Sequence, residues 1–161
     1  MRIVTAIAVG FVIAQVANLF TTVYLHRVLA HKAATVHGSV AFVSRGVIWL
    51  STGIKPRQWA AVHRKHHSFT DLPDDPHSPL NSSWFKVLTT NAAMYRRVAA
   101  NPETVPRYAN DLEAKTDKWD KVLFDRAWLG LGLGITALIV LFGPVYGLIT
   151  AVAHMVIYLG L

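Results

Sequence analysis

The chain of 161 residues contains no cysteine, which excludes a disulfide scaffold and any thiolate metal site and says little about compartment. It is also short of acid, with 9 Asp and Glu against 16 Lys and Arg and a net charge of +7. Such an excess can suit a nucleic-acid binder, but these basic residues form no reading motif, so no nucleic-acid partner is expected. Charge is missing altogether from residues 3–25 and 127–161, and every Lys and Arg except Arg2 lies between residues 27 and 126. Charge confined between apolar segments is what the positive-inside rule produces. With 53% hydrophobic residues, the composition points to a membrane class, and the length to one domain.

Histidine is the chemistry-bearing residue that is present. Five of the 8 histidines fall in two clusters, His26 with His31 and the run His63-Arg64-Lys65-His66-His67. In the second cluster the imidazoles stand at i, i+3 and i+4, the spacing of one helix face. Neutral imidazole is the commonest metal ligand, so a metal held by histidine is the first hypothesis; a basic solvated helix face is the alternative. His26 and His31 are five apart, about 140° around an ideal α-helix, so they do not share a face unless the helix ends or bends between them. Five histidines exceed one ordinary mononuclear site, which implies two metals or supporting roles for some of them.

In chain order, Ile3 to Leu25 is an uncharged run able to cross a bilayer core as a helix of ~34 Å. Gln15, Asn18, Thr22 and His26 lie on one narrow stripe of it, which places His26 on the interior side of a bundle. A signal peptide is the competing reading, but no small-residue cleavage site precedes His26. Val36 to Ile54 is apolar but carries Arg45 at its middle, and a crossing there would put the two histidine clusters on opposite sides of the membrane. The expectation is an interfacial, membrane-embedded helix that does not cross. Gln58 to Ser68 carries the triplet on a helix, and Thr70 to Pro79, with its prolines and aspartates, is a turn-rich segment. Beyond Asn101-Pro102 an amphipathic helix is predicted, with Tyr108, Leu112, Trp119 and Leu123 on one side. Ala127–Phe142 and Val145–Leu161, parted by Gly143-Pro144, read as a transmembrane helical hairpin. Gly130 and Gly134 have the spacing that lets membrane helices approach closely, and His154 is either functional or a hydrogen-bonded packing residue.

The segment Tyr24-Leu25-His26-Arg27-Val28-Leu29-Ala30-His31 resembles the HRxxxH box of the integral-membrane fatty acid desaturases. Trp59-Ala60-Ala61-Val62-His63-Arg64-Lys65-His66-His67, followed by Asp75-Pro76-His77, is similar to that family's second box and its D-P-H tail. The likeness is to the acyl-CoA Δ9 (stearoyl-CoA-type) branch and its bacterial relatives, and it covers residues 15 to 100 most strongly. The resemblance implies a di-iron centre that uses O2 to desaturate an acyl chain, with an acyl-CoA or acyl-lipid substrate. A cytochrome b5-like, ferredoxin-like or flavoprotein electron donor is equally compatible. By position it implies His26, His31, His63, His66 and His67 as metal ligands on the cytoplasmic side, Trp59 at the substrate region and Arg96-Arg97 as the basic pair near a CoA headgroup. His77, Asp71 and Asn18 fall in supporting positions, His77 holding the acidic turn. The family's third box and its Asn-His pair near the last helix have no counterpart here. The expectation is therefore a partial desaturase domain from a truncated or split enzyme. A desaturase-like hydroxylase or ketolase, or a non-catalytic membrane metal-binding fragment, are the alternatives. The expected fold is an all-α integral membrane bundle: a transmembrane helix at 3–25, an interfacial helix at 36–54, a cytoplasmic histidine-box cap at 55–126 and the hairpin at 127–161.

Overall fold

The computed structural model describes residues 2–160, without the side chains of residues 114 and 115, and contains helices and turns with no strand among the described residues. Helix α1 (Ile3–Phe20) runs without a break into a π-helical segment, Thr21–Ala30. There follow α2 (Gly38–Thr52), α3 (Pro56–Ser68), α4 (Trp84–Ala99) and the short α5 (Thr104–Ala109). A 3-10 turn (Asn110–Lys115) and a π turn (Asp120–Phe124) lead to α6 (Ala127–Phe142) and α7 (Pro144–Gly160). The chain divides into two compact units.

The first unit holds residues up to Tyr24, Val36–Lys55 and those from Asp117 onward. Helix α1 packs on α7 and α2, and α6 packs on α2 and α7. The buried positions of α1 are Ala6, Gly10, Ala14 and Ala17, all small, and they recur every three or four residues. Its large side chains face outward: Ile3 is 58% exposed, Val12 59% and Leu19 59%. Small residues inside let the helices approach closely, and the large apolar side chains are left on the outer surface of the unit. Ile3–Ala30 is long and apolar enough to cross a membrane, whereas α6 and α7 are apolar but shorter.

Close backbone approach explains the glycines. A Cβ on Gly10 would lie 2.8 Å from the Thr150 carbonyl oxygen, and one on Gly147 2.6 Å from that of Leu138. Gly130 and Gly134 serve contact with α2, where a Cβ would run into the Trp49 ring and the Leu50 carbonyl respectively. Arg45 in α2 is buried and forms ion pairs with Asp120 (2.7 Å) and Asp117 (2.8 Å). Its charge is thus neutralised inside the unit, beneath the rings of Phe42 and Phe124. His154 is buried too, and its Nε2–H donates to the Ser51 carbonyl at 2.6 Å, which makes it a packing residue of this bundle.

The second unit holds Leu25–Thr35 and Pro56–Thr116. Its core is Ala30, Ala60, Ala61, Ala109 and Leu112, with Leu29, Trp59, Val105 and Tyr108 packed around it. The amphipathic helix anticipated beyond Pro102 is broken. Leu112 lies in this unit, whereas Trp119 and Leu123 lie in the other. The break follows from Asp117, whose carboxylate accepts from the backbone N–H of Trp119 (2.8 Å) and Asp120 (3.0 Å) and so starts a new helical turn.

Candidate metal centre

The site begins with how the first histidine pair is wound. Between Thr21 and Ala30 the backbone follows i→i+5 hydrogen bonds, and one more of that type closes the segment, from His31 N–H to the His26 carbonyl at 2.9 Å. An i→i+5 ladder makes residues five apart near neighbours, as the α-helical ladder does for residues four apart. The imidazoles of His26 and His31 accordingly meet with ring centroids 4.4 Å apart. The 140° separation expected of an α-helix is removed by the winding, and the helix ends at Ala30, just before His31.

Helix α3 brings the partners. His63 lies 4.7 Å from His26 and 5.3 Å from His31 between ring centroids, and His67 lies 4.8 Å from His31. The Nε2 atom of His63 is 3.2 Å from that of His31 and 3.1 Å from that of His67. Two nitrogens bound at about 2.1 Å to one ion, at angles between octahedral and tetrahedral, are separated by about 3.0–3.4 Å. His26 Nδ1 is buried with no hydrogen-bond partner among the described residues. Together these four histidines can each offer a nitrogen, with the donor atoms all within 4.8 Å of one another. The residues therefore fit a first-row transition metal held by imidazole.

Electrostatics favour the ligand form. Burial lowers the His63 pKa to about 3, helped by the neighbouring His26, His67, His31 and His66. His67 is lowered as well, by burial and then by His31 and His66. Neutral imidazoles have a free lone pair, and a crowd of them resists protonation.

Arg64, between the first two histidines of the triplet, ties α3 to the π segment. Its Nε and Nη2 donate to the carbonyls of Ala30 (2.9 Å) and Leu29 (2.7 Å), the unpaired acceptors at that segment's end. Nη1 donates to the Tyr108 carbonyl at 2.9 Å and to Asp111 at 2.6 Å, and Lys32 meets the same carboxylate at 2.9 Å. One planar fork thus fixes the register of the His26–His31 segment against His63 and His67.

His66 is placed differently from the other four. Its ring stacks on His77 at 4.4 Å and its Nδ1 bonds to Asp75 at 2.8 Å. His66, Asp75 and His77 form a separate group of possible donors. Trp59 stacks flat on His63, with centroids 4.7 Å apart and planes 11° apart. Asp71 accepts from the Ser78 hydroxyl at 2.8 Å and shapes the turn after α3. Arg96 and Arg97 are exposed in the last turn of α4, where positive charge also suits the helix dipole. Asn18 lies in α1, in the first unit, and is not among the residues that converge here.

Sequence reasoning missed Asp75 and Arg64 as parts of the arrangement. The signal for Asp75 was its place two residues before His77. Arg64 was visible only as a residue of the second box; its partners left no signal, because a fork that reaches carbonyls about 35 residues away leaves no local pattern.

No protein-family profile matches the chain, and no solved structure does. Among curated proteins, "Delta-9 acyl-lipid desaturase 2" of Arabidopsis thaliana is 36% identical over 84 residues, 52% of this chain and 27% of that protein. "Palmitoyl-monogalactosyldiacylglycerol delta-7 desaturase, chloroplastic", also of Arabidopsis thaliana, is 35% identical over 81 residues, 50% of this chain and 22% of its own length. "Hex-5-enoyl-[acyl-carrier protein] acetylenase" of Moorena producens (strain JHB) is 31% identical over 78 residues, 47% of this chain and 24% of its own length. The matched segment thus spans about a quarter of these relatives. Over about half of its length the chain is similar to proteins named as fatty acid desaturases.

Proposed function

We propose that this chain is part of a membrane-embedded, O2-dependent fatty acyl desaturase, with His26, His31, His63, His66 and His67 as iron ligands. The observation that carries the reading is the convergence of His31, His63 and His67 through Nε2 atoms 3.1–3.2 Å apart, in a chain half of which matches desaturases. Iron bound there, as a pair of ions in the family pattern, would supply the oxidising power needed to remove hydrogen from an unactivated methylene pair. The protein's share is to hold five imidazoles in place and to align an acyl chain beside them. Arg64 sets the histidine register, and Trp59 walls the His63 face where an acyl chain would lie. Arg96 and Arg97, exposed on α4, suit an anionic acyl-carrier headgroup. Residues 1–161 contain no third histidine box.

The outward-facing apolar side chains of α1, α6 and α7 support a bilayer location for the first unit, with α2 embedded along it. Arg27 and Lys32, beside the first histidine pair, support a cytoplasmic location for the histidines by the positive-inside rule. The substrate is a fatty acyl-CoA or acyl-lipid, with O2 and an external electron donor as co-reactants. A related acetylenase among the matched proteins supports one second reading, further oxidation of an existing double bond; the products separate the two. The test is iron analysis of the purified chain against a His63→Ala/His66→Ala/His67→Ala variant, with fatty acid profiling of cells that express the chain in its full reading frame. Iron well below half an atom per chain, equal in both proteins, would overturn the metal assignment. An unaltered acyl profile would overturn the activity.

A further inference from the structure

The turn after α3 contains a carboxylate whose role the ligand assignment leaves open. The Asp75 side chain has no exposed surface. Its Oδ1 accepts from His66 Nδ1 at 2.8 Å and from the His77 backbone N–H at 3.1 Å, and its Oδ2 accepts from the Asp71 backbone N–H at 2.9 Å. Both oxygens of Asp75 are thus acceptors, clamped from both sides by backbone donors. A partner of such a group must be the donor, so the proton of neutral His66 sits on Nδ1 and the lone pair is left on Nε2.

His77 completes the arrangement as a wall. Its ring lies 4.4 Å from that of His66 with planes only 22° apart. Rings stacked in this way hold their nitrogen lone pairs in nearly parallel planes, which do not converge on one ion. His77 instead blocks one face of His66 and limits its rotation about the side chain.

We propose that Asp75 is a positioning residue that fixes His66 as the Nδ1–H tautomer and presents its Nε2 as the metal donor, with His77 stacked behind it. The inference rests on the metal reading above for its purpose, but its structural content is testable without metal. In a metal-free, 15N-histidine-labelled full chain in detergent, two-bond 1H–15N spectra above pH 7.5 are expected to show His66 protonated on Nδ1. In Asp75→Ala the His66 signals shift toward the Nε2–H form, while those of His63 and His154 stay in place as evidence of an intact fold. Anaerobic Fe2+ titration is expected to show about 10–100-fold weaker binding in Asp75→Ala. Asp75→Asn, whose amide oxygen can still accept from Nδ1–H, recovers part of that loss. A wild-type His66 protonated on Nε2 overturns the proposal whether or not any variant folds. So does an unchanged His66 tautomer in folded Asp75→Ala. If the wild-type chain binds no Fe2+ yet His66 is an Nδ1–H tautomer that depends on Asp75, the tautomer assignment stands and the metal reading fails. If Fe2+ binds and the tautomer is wrong, only the present inference fails.

Discussion

His63 occupies the centre of the histidine cluster, because its Nε2 faces two others at 3.1 and 3.2 Å. His63→Ala is expected to lower iron content at least tenfold, measured by elemental analysis of purified protein. His154→Ala leaves it unchanged, since that imidazole is spent on the Ser51 carbonyl. Arg64→Lys keeps the charge but loses the fork that reaches Leu29, Ala30, Tyr108 and Asp111 together. The lost bonds amount to about 2 kcal/mol. The expected result is a lower thermal midpoint together with weaker Fe2+ binding, read by calorimetry and by titration on the same sample.

At the scale of elements, the π winding of Thr21–Ala30 is what makes a five-residue spacing serve one site. Inserting an alanine between Val28 and Leu29 would put the histidines six apart and turn one of them away. Iron content is expected to fall toward that of the His63→Ala variant while helical content by circular dichroism is retained. Helix contact in the first unit is equally specific. A side chain at Gly134 would run into the Leu50 carbonyl, whereas Gly132 has nothing within 4 Å. Gly134→Val should destabilise the protein in detergent by several degrees. Gly132→Ala should be neutral or stabilising, by up to about 1 kcal/mol from helix propensity.

For the molecule as a whole, acid lability follows from Asp111. The side-chain hydrogen bond from Arg64 comes first in lowering its pKa from 3.8 to about 2; burial opposes it, and Lys32 adds to it. A carboxylate with a depressed folded pKa contributes stability that is complete above the unfolded value. That contribution is lost as pH falls from 3.8 through about 2. Because its side chain is 36% exposed, solvent screening keeps the effect modest. Hydrogen exchange in Thr104–Ala109 is expected to rise over that window, and in Asp111→Asn to be fast already at pH 5. Arg45 with Asp117 and Asp120 makes a buried pair of another kind, within the first unit. Arg45→Ala leaves Asp120 buried without its partner, at a cost of about 3–5 kcal/mol, and is expected to abolish a cooperative thermal transition.

The amino-acid sequence by itself determined the helical class, the apolar runs that become α1, α6 and α7, and the turn-rich stretch after Ser68. Each depends on local periodicity or on proline and glycine chemistry, which a short window contains. It also put His63, His66 and His67 on one helix face, because spacings of three and four are α-helical. Tertiary structure alone decided that His26 and His31 meet, since π winding has no local sequence signal. It also decided that Arg64 binds carbonyls of another segment, that the stretch after Pro102 is shared between two units, and that His66 stands apart with Asp75 and His77. These outcomes depend on which acceptors are left unpaired once the helices have packed, and no single stretch of sequence specifies that.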